Sequence, residues 1–200
     1  MNALRTDSPL LDIEAIVIGA SAGAIAALTH LLPPLPPDYP LPILVAVHIP
    51  PDQPNSIPAL LQTKCRVTVK EAEDKEPIRP GTVYFAPPDY HLLVEEDRHL
   101  SLSNEEPVSF ARPSIDVLFE SAADVYGKRL LALVLSGANH DGTKGACAVI
   151  KAGGTVLVQT PESATARMMP ESALAACPES KAMSLPNLNH WLVTRGSTES

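Results

Sequence analysis

Positive charge is scarce in this sequence. Fifteen Lys and Arg stand against 23 Asp and Glu, giving a formal net charge of -8 and a pI near 5.2. A deficit of that sign argues against a general nucleic-acid or anionic-membrane surface, since both need clustered cations. Cysteine is also sparse. Cys65, Cys147 and Cys177 are odd in number and show no C-x-x-C spacing, which predicts reduced thiols in a cytoplasmic protein, with neither a disulfide framework nor a zinc cluster. No apolar run approaches the ~20 residues of a membrane-spanning helix. The opening "MNALRTDSPLLDIE" lacks a signal-peptide core, so no membrane insertion is expected. Aromatic residues make up only 4% of the chain, yet 45% of its 200 residues are hydrophobic. That is enough to bury one substantial core, and a single domain is the expectation.

What is present is an alternation of strand-like and helix-like segments, the rhythm of a parallel sheet with crossover helices. "IEAIVIG" reads as a first buried strand, "SAGAIAALTHLL" as its helix and "PILVAVHIP" as a second strand. The proline-rich "PPLPPDYPLP" between them predicts a stiff, extended connection. After the helix candidate "SIPALLQTK", the runs "RVTVKEA", "GTVYFAPP", "YHLLVEE" and "HLSLS" read as a β-rich insertion or sheet edge. "RPSIDVLFESAADVYG" places Ile115, Leu118, Phe119 and Ala122 on one helical face. "LLALVLSG", "DGTKGACAVIKAGG" and "TVLVQT" then give strand, helix and strand. The fold class is α/β: a doubly wound, mostly parallel sheet with flanking helices and a short antiparallel β-rich segment.

The first strand-to-helix turn carries Gly19-Ala-Ser21-Ala-Gly23. This is G-x-S-x-G, the pattern that lifts a serine hydroxyl clear of a sheet. Glycines at such a turn also suit a phosphate-binding loop, and Ser21 also fits a helix cap. In open parallel sheets functional groups collect beyond the carboxyl ends of the strands. Ser21 follows "IVIGA", His48 ends "ILVAV" and Asp141 follows "LALVLSGANH". A serine needs a base, and the base needs a carboxylate to hold its tautomer. His140 is a rival base, and Asp52 and Asp89 are rival carboxylates. His30, His91 and His99 fall on a helix surface or in the β-rich segment. The order Ser, His, Asp differs from that of the α/β-hydrolase fold.

The segments "IGASAGA", "VAVHIPP", "VKEAEDKEPIRPGTVYFAPPDYH", "RPSIDVLFESAA" and "VLSGANHDGTKG" together resemble the catalytic domain of CheB-type chemotaxis protein-glutamate methylesterases, from about Glu14 to at least Ala176. The resemblance implies a catalytic domain over residues 13–195, flanked by an N-terminal extension over 1–12 and a polar tail over 196–200. It implies a serine hydrolase that removes methyl groups from glutamyl esters on chemoreceptors and can deamidate receptor glutamines. Ser21 would be the nucleophile, His48 the base and Asp141 the orienting carboxylate, with no metal and no organic cofactor. The implied partner is a methyl-accepting chemoreceptor or related signalling protein.

The chain departs from the family pattern in three ways. Ala22 and Ala24 stand where threonine and a second glycine are usual, and Ala138 and Asn139 where methionine and glycine are common. The backbone amide of Ala22 would then form half of an oxyanion hole, in a pocket that is wider and of altered specificity, with Ala138 a further candidate contact to substrate or oxyanion. Arg112, in "ARPSID", is a candidate contact to an acidic receptor segment and equally a helix-start arginine. "PPDYH" is read as the rim of the cleft. About a dozen residues precede the first strand, too few for the receiver domain that often regulates the family, so a basal activity independent of phosphorylation is expected. Two other readings remain: a CheB-like module that binds a partner after losing efficient catalysis, and nucleotide binding at the Gly19 turn.

Overall fold

The structure, a computed structural model, describes residues 12–48 and 56–196. Residues 1–11, 49–55 and 197–200 lie outside it, and with them Asp52, the Ile49-Pro50-Pro51 turn, and most of the expected extension and tail.

The most apolar runs form the middle of one sheet. β1 (Ala15–Ala20), β2 (Ile43–Val47) and β7 (Leu130–Val134) are buried at every position, as strands covered on both faces must be. The remaining strands are β3 (Thr68–Glu71), β4 (Thr82–Phe85), β5 (His91–Val94), β6 (Leu100–Ser103), β8 (Thr155–Gln159) and β9 (Lys181–Met183). Seven of them form a sheet in the order β3-β4-β2-β1-β7-β8-β9, and every pairing in it is parallel. The four short runs after "SIPALLQTK" therefore divide. β3 and β4 extend the parallel sheet to its edge, and only β5 and β6 form an antiparallel hairpin.

The helices are α1 (Ala24–Leu31), α2 (Ile57–Gln62), α3 (Ile115–Tyr126), α4 (Thr143–Lys151), α5 (Met168–Ala176) and α6 (Leu185–Gly196). One face of the sheet buries α3, α4, α5 and the hairpin, the other α1, α2 and α6. Ile115, Leu118, Phe119 and Ala122 are fully buried, as the spacing on α3 predicts. The proline-rich connection is more than a spacer: Leu35 and Tyr39 are buried, and the Tyr39 hydroxyl donates to the Leu192 carbonyl of α6 at 3.3 Å.

The expectation of three reduced thiols is corrected here. Cys147 on α4 and Cys177, just past α5, form a disulfide across a separation of 30 residues, and Cys65 alone is free. Packing of α4 against α5 brings the two Cα atoms to 5.5 Å, within bridging range. Sequence spacing does not show that proximity.

The chain leaves β1 toward β2 on one side, and β7 pairs with β1 on the other. The strand order reverses at β1, and the crevice beyond the carboxyl ends of β2, β1 and β7 is where such sheets place ligands.

Candidate active site

Asp141 sits in the loop between β7 and α4 and is 1% exposed. A carboxylate that deep must be matched by donors. The first turn of α3 supplies three: the amides of Ile115 at 2.7 Å and Asp116 at 3.0 Å, and the Ser114 hydroxyl at 2.9 Å. Helix amino termini favour anions because their first amides lack partners within the helix. The Gly142 amide adds a fourth at 3.0 Å, and His48 Nε2 a fifth at 2.7 Å. Burial pushes the Asp141 carboxyl up, but the His48 ring and the Ile115 and Asp116 amides outweigh it and hold the group below the ordinary carboxylate range. Asp141 is a fixed negative charge with one partner able to carry a positive one.

That partner ends β2. β1 and β2 run in register, Ala20 beside Val47, and the His48 amide donates to the Ala20 carbonyl at 3.3 Å. Ser21 and His48 are therefore neighbours across adjacent strand ends. The ring's other nitrogen, Nδ1, lies 3.0 Å from Asn139 Nδ2.

The Ser21 turn has its own logic. The Ala24 amide donates back to the Ser21 carbonyl at 2.9 Å, and the Ser21 amide donates to the Ser136 carbonyl of the β7 end at 2.9 Å. This tight turn needs positive φ at Gly23, which sits at 89°. Gly23, not Ser21, is the N-cap of α1, and no side chain caps that helix. The capping role for Ser21 is thus absent, and its hydroxyl bonds to no described residue. Gly19 has a packing reason: a Cβ there would meet the Ile115 side chain at 2.3 Å. Both glycines thus have structural reasons of their own, close packing at Gly19 and the turn conformation at Gly23.

The other candidates are placed elsewhere. Arg112 spends its donors inside the protein, on Asp89 at 2.6 and 3.0 Å and on the Asn104 and Glu105 carbonyls at 2.8 and 2.9 Å. It clasps the "PPDYH" turn to the segment before α3, and Asp89 is its counter-ion. His140 points to Ser172, 2.7 Å from its hydroxyl. Ala22 and Ala138 are both exposed beside the crevice, and the Ala22 carbonyl accepts the Ser136 hydroxyl at 2.6 Å. Among the described residues no group of His, Cys, Asp and Glu could hold a metal ion.

A model of the CheB methylesterase family matches residues 16–192. The chain belongs to this family. A putative protein-glutamate methylesterase/protein-glutamine glutaminase of Leptospira interrogans is 44% identical over 178 residues, covering 89% of this chain and 92% of the relative. A protein-glutamate methylesterase/protein-glutamine glutaminase of Paraburkholderia xenovorans is 40% identical over 196 residues, covering 96% of this chain and 54% of the relative. The chain thus spans nearly all of one CheB relative and about half of another. The crystal structure of the Thermotoga maritima CheB methylesterase catalytic domain superposes with a TM-score of 0.86 at 33% identity, covering 91% of this chain and 98% of that one.

Within this CheB fold, four residues beyond the sequence reading shape the site. Ser114 and Asn139 bond Asp141 and His48 directly. His91, 2% exposed, accepts the Ser114 amide on Nδ1 at 3.2 Å, so its proton is on Nε2, facing the Glu106 carbonyl at 3.2 Å. Asp116, also 2% exposed, accepts the Gly145 amide at 2.8 Å and so joins α3 to the first turn of α4. Burial, only partly offset by that amide and reinforced by Asp141, pushes the Asp116 carboxyl up to about 6. A signal for Ser114 lies in "RPSID": a serine opening a helix marks a set of free amides, and such a set seeks an anion.

Proposed function

We propose that the chain hydrolyses glutamyl γ-methyl esters on chemoreceptors through Ser21, His48 and Asp141. The observation that carries this reading is the Asp141 carboxylate, bound by five donors and set 2.7 Å from His48 Nε2 at the strand end beside Ser21. With Nε2 held by Asp141, Nδ1 is the nitrogen that works. Ser21 Oγ attacks the γ-carbonyl carbon while Nδ1 takes its proton, and Asp141 steadies the imidazolium. The main-chain amide of Ala22, with Ala138 across the crevice, faces the developing oxyanion. Nδ1 then protonates the departing methanol, leaving an acyl-enzyme. Water, deprotonated by the same nitrogen, cleaves that ester and frees the glutamate and Ser21. A glutamine side chain enters the same sequence with ammonia as leaving group, in keeping with the double name of the relatives. The partner is a methyl-accepting chemoreceptor or a related signalling protein, met in the cytoplasm, and no described helix is long and apolar enough to cross a membrane.

The test is methanol release from a methylated chemoreceptor cytoplasmic fragment. Wild-type chain should release it and Ser21→Ala should not, with circular dichroism unchanged. Release at the wild-type rate by Ser21→Ala sinks the serine mechanism, and no release by wild type sinks the substrate.

A further inference from the structure

Asn139 lies two residues before Asp141 and touches both partners of the His48–Asp141 pair. Its side-chain oxygen accepts the Asp141 main-chain N–H at 3.1 Å. A main-chain amide only donates, so Oδ1 is the atom that faces it and Nδ2 faces the opposite way. There Nδ2 lies 3.0 Å from His48 Nδ1. An amide nitrogen also only donates, so Nδ1 accepts, and the imidazole proton is on Nε2, where Asp141 Oδ2 takes it at 2.7 Å. Both ring nitrogens are engaged. Nε2 is committed to a carboxylate that four other groups hold in place. Nδ1 is the only nitrogen left to receive the Ser21 proton, and Asn139 occupies its lone pair.

We propose that Asn139 is a positioning residue that keeps the base in a closed resting arrangement, released when the Ser21 hydroxyl replaces the Asn139 amide at Nδ1. The closed contact fixes the tautomer that catalysis needs while withholding the lone pair that catalysis uses. Exchange costs no covalent bond: one hydrogen bond to Nδ1 is given up for another, and the Ser21 proton then moves to Nδ1 as the Oγ–C bond forms. Asn139 is only partly buried, so its side chain has solvent to turn into. His140 does not compete for the ring, because its own Nδ1 is paired with Ser172. The glycine that the family resemblance leads one to expect here has no side chain and makes neither contact.

The inference rests on the serine-esterase reading, and its test separates the two. Second-order labelling of Ser21 by a fluorophosphonate is measured for the wild-type chain, Asn139→Ala, Asn139→Gly and Asn139→Asp, alongside kcat and KM for glutamyl methyl-ester hydrolysis. Loss of one neutral hydrogen bond to the base should speed labelling and kcat in the Ala and Gly variants by about two- to tenfold, with little change in KM. Asn139→Asp keeps an oxygen for the Asp141 amide but presents a second carboxylate to the ring, holding a proton on Nδ1. It should be slower than wild type by at least tenfold. A brace with no gating role gives the opposite order, Asp near normal and Ala slow, and that result overturns the proposal, as do unchanged rates. Nitrogen-15 NMR of wild-type His48 provides a reading independent of any variant: Nδ1 should appear as an unprotonated acceptor, and a protonated Nδ1 beside an unprotonated Nε2 overturns it. A wild-type chain that does not label at all contradicts the serine mechanism itself.

Discussion

Ser114, Asp116 and Asp141 meet across a gap of 25–27 residues in sequence, and what each does follows from what it touches. Ser114 donates a charge-assisted hydrogen bond, of the kind worth about 1.5–3 kcal/mol. Ser114→Ala should therefore lower kcat about tenfold with KM little changed, in steady-state ester hydrolysis. Asp141→Asn should cost as much as ~10⁴-fold, because the carboxylate that fixes the tautomer and balances the imidazolium is gone. Asp89→Asn, which loosens only the Arg112 clasp, should cost far less in the same assay. Asp116 titrates at about 6 in the folded chain, above the ~3.9 of an unfolded aspartate. Its folded state thus binds the proton more tightly than its unfolded state, so its contribution is full below the unfolded value and lost as pH rises through 6. Asp141, held low, works the other way: its contribution is present above the unfolded value and lost as pH falls through the folded one. Accordingly Asp116→Asn should gain in thermal midpoint over wild type between pH 5 and pH 8. A gap that narrows over that range contradicts the assignment. The sequence marks Ser21, His48 and Asp141 as candidates because Ser21 and His48 directly follow apolar strands and Asp141 lies in the loop after a third. Ser114 leaves only the signal of a serine opening a helix, and the contacts of Asp116, Asn139 and His91 depend on tertiary packing: α3 against the α4 loop, that loop against the end of β2, and β5 against the start of α3.

The elements that hold the site are packed through glycine. A Cβ on Gly145 would lie 2.6 Å from Phe119 Cβ and 3.1 Å from the Asp116 main chain. Main chain cannot step aside as a long side chain can, so Gly145→Ala should push α4 off α3 and destabilise the protein by about 1–3 kcal/mol, read in urea unfolding. Activity should fall with it, since both helix starts meet at Asp141. The turn before α3 shows the reverse case. Val108 and Ala111 exchange main-chain hydrogen bonds around Ser109 and Phe110, both at positive φ, and Phe110 is fully exposed. Two-residue turns of this shape favour Asn-Gly. Replacing Ser109-Phe110 by Asn-Gly should stabilise the fold by about 1 kcal/mol, and a loss of stability contradicts the turn geometry. The continuous apolar runs of β1 and β7 and the helical period of α3 are readable from their residues. β3 and β4 are not, because a four-residue alternating strand looks alike at the edge of a parallel sheet and in an insertion. β9, at three residues, and α5, with no strong apolar face, carried too little pattern to read.

At the scale of the whole molecule, the sheet brings three strand ends to one crevice, and helices on both faces bury the three strands themselves along their whole length. The Cys147–Cys177 bridge closes a separation of 30 residues that includes β8 and the whole of α5, a loop whose closure is worth about 3–4 kcal/mol by chain entropy. Reduction, or Cys147→Ser, should lower the urea midpoint while leaving the His48–Asp141 pair intact. The chain's negative charge leaves little electrostatic pull toward an acidic receptor segment, and Arg112 is already neutralised by Asp89. The proposed chemistry makes Ser21 the one nucleophile of this crevice, with His48 as its base. Peptide mapping by mass spectrometry after fluorophosphonate treatment tests it most directly. A single adduct on Ser21, lost in His48→Ala and accompanied by loss of methanol release, is the result expected. An adduct on another residue, or full methanol release from a chain whose Ser21 is blocked, would contradict it.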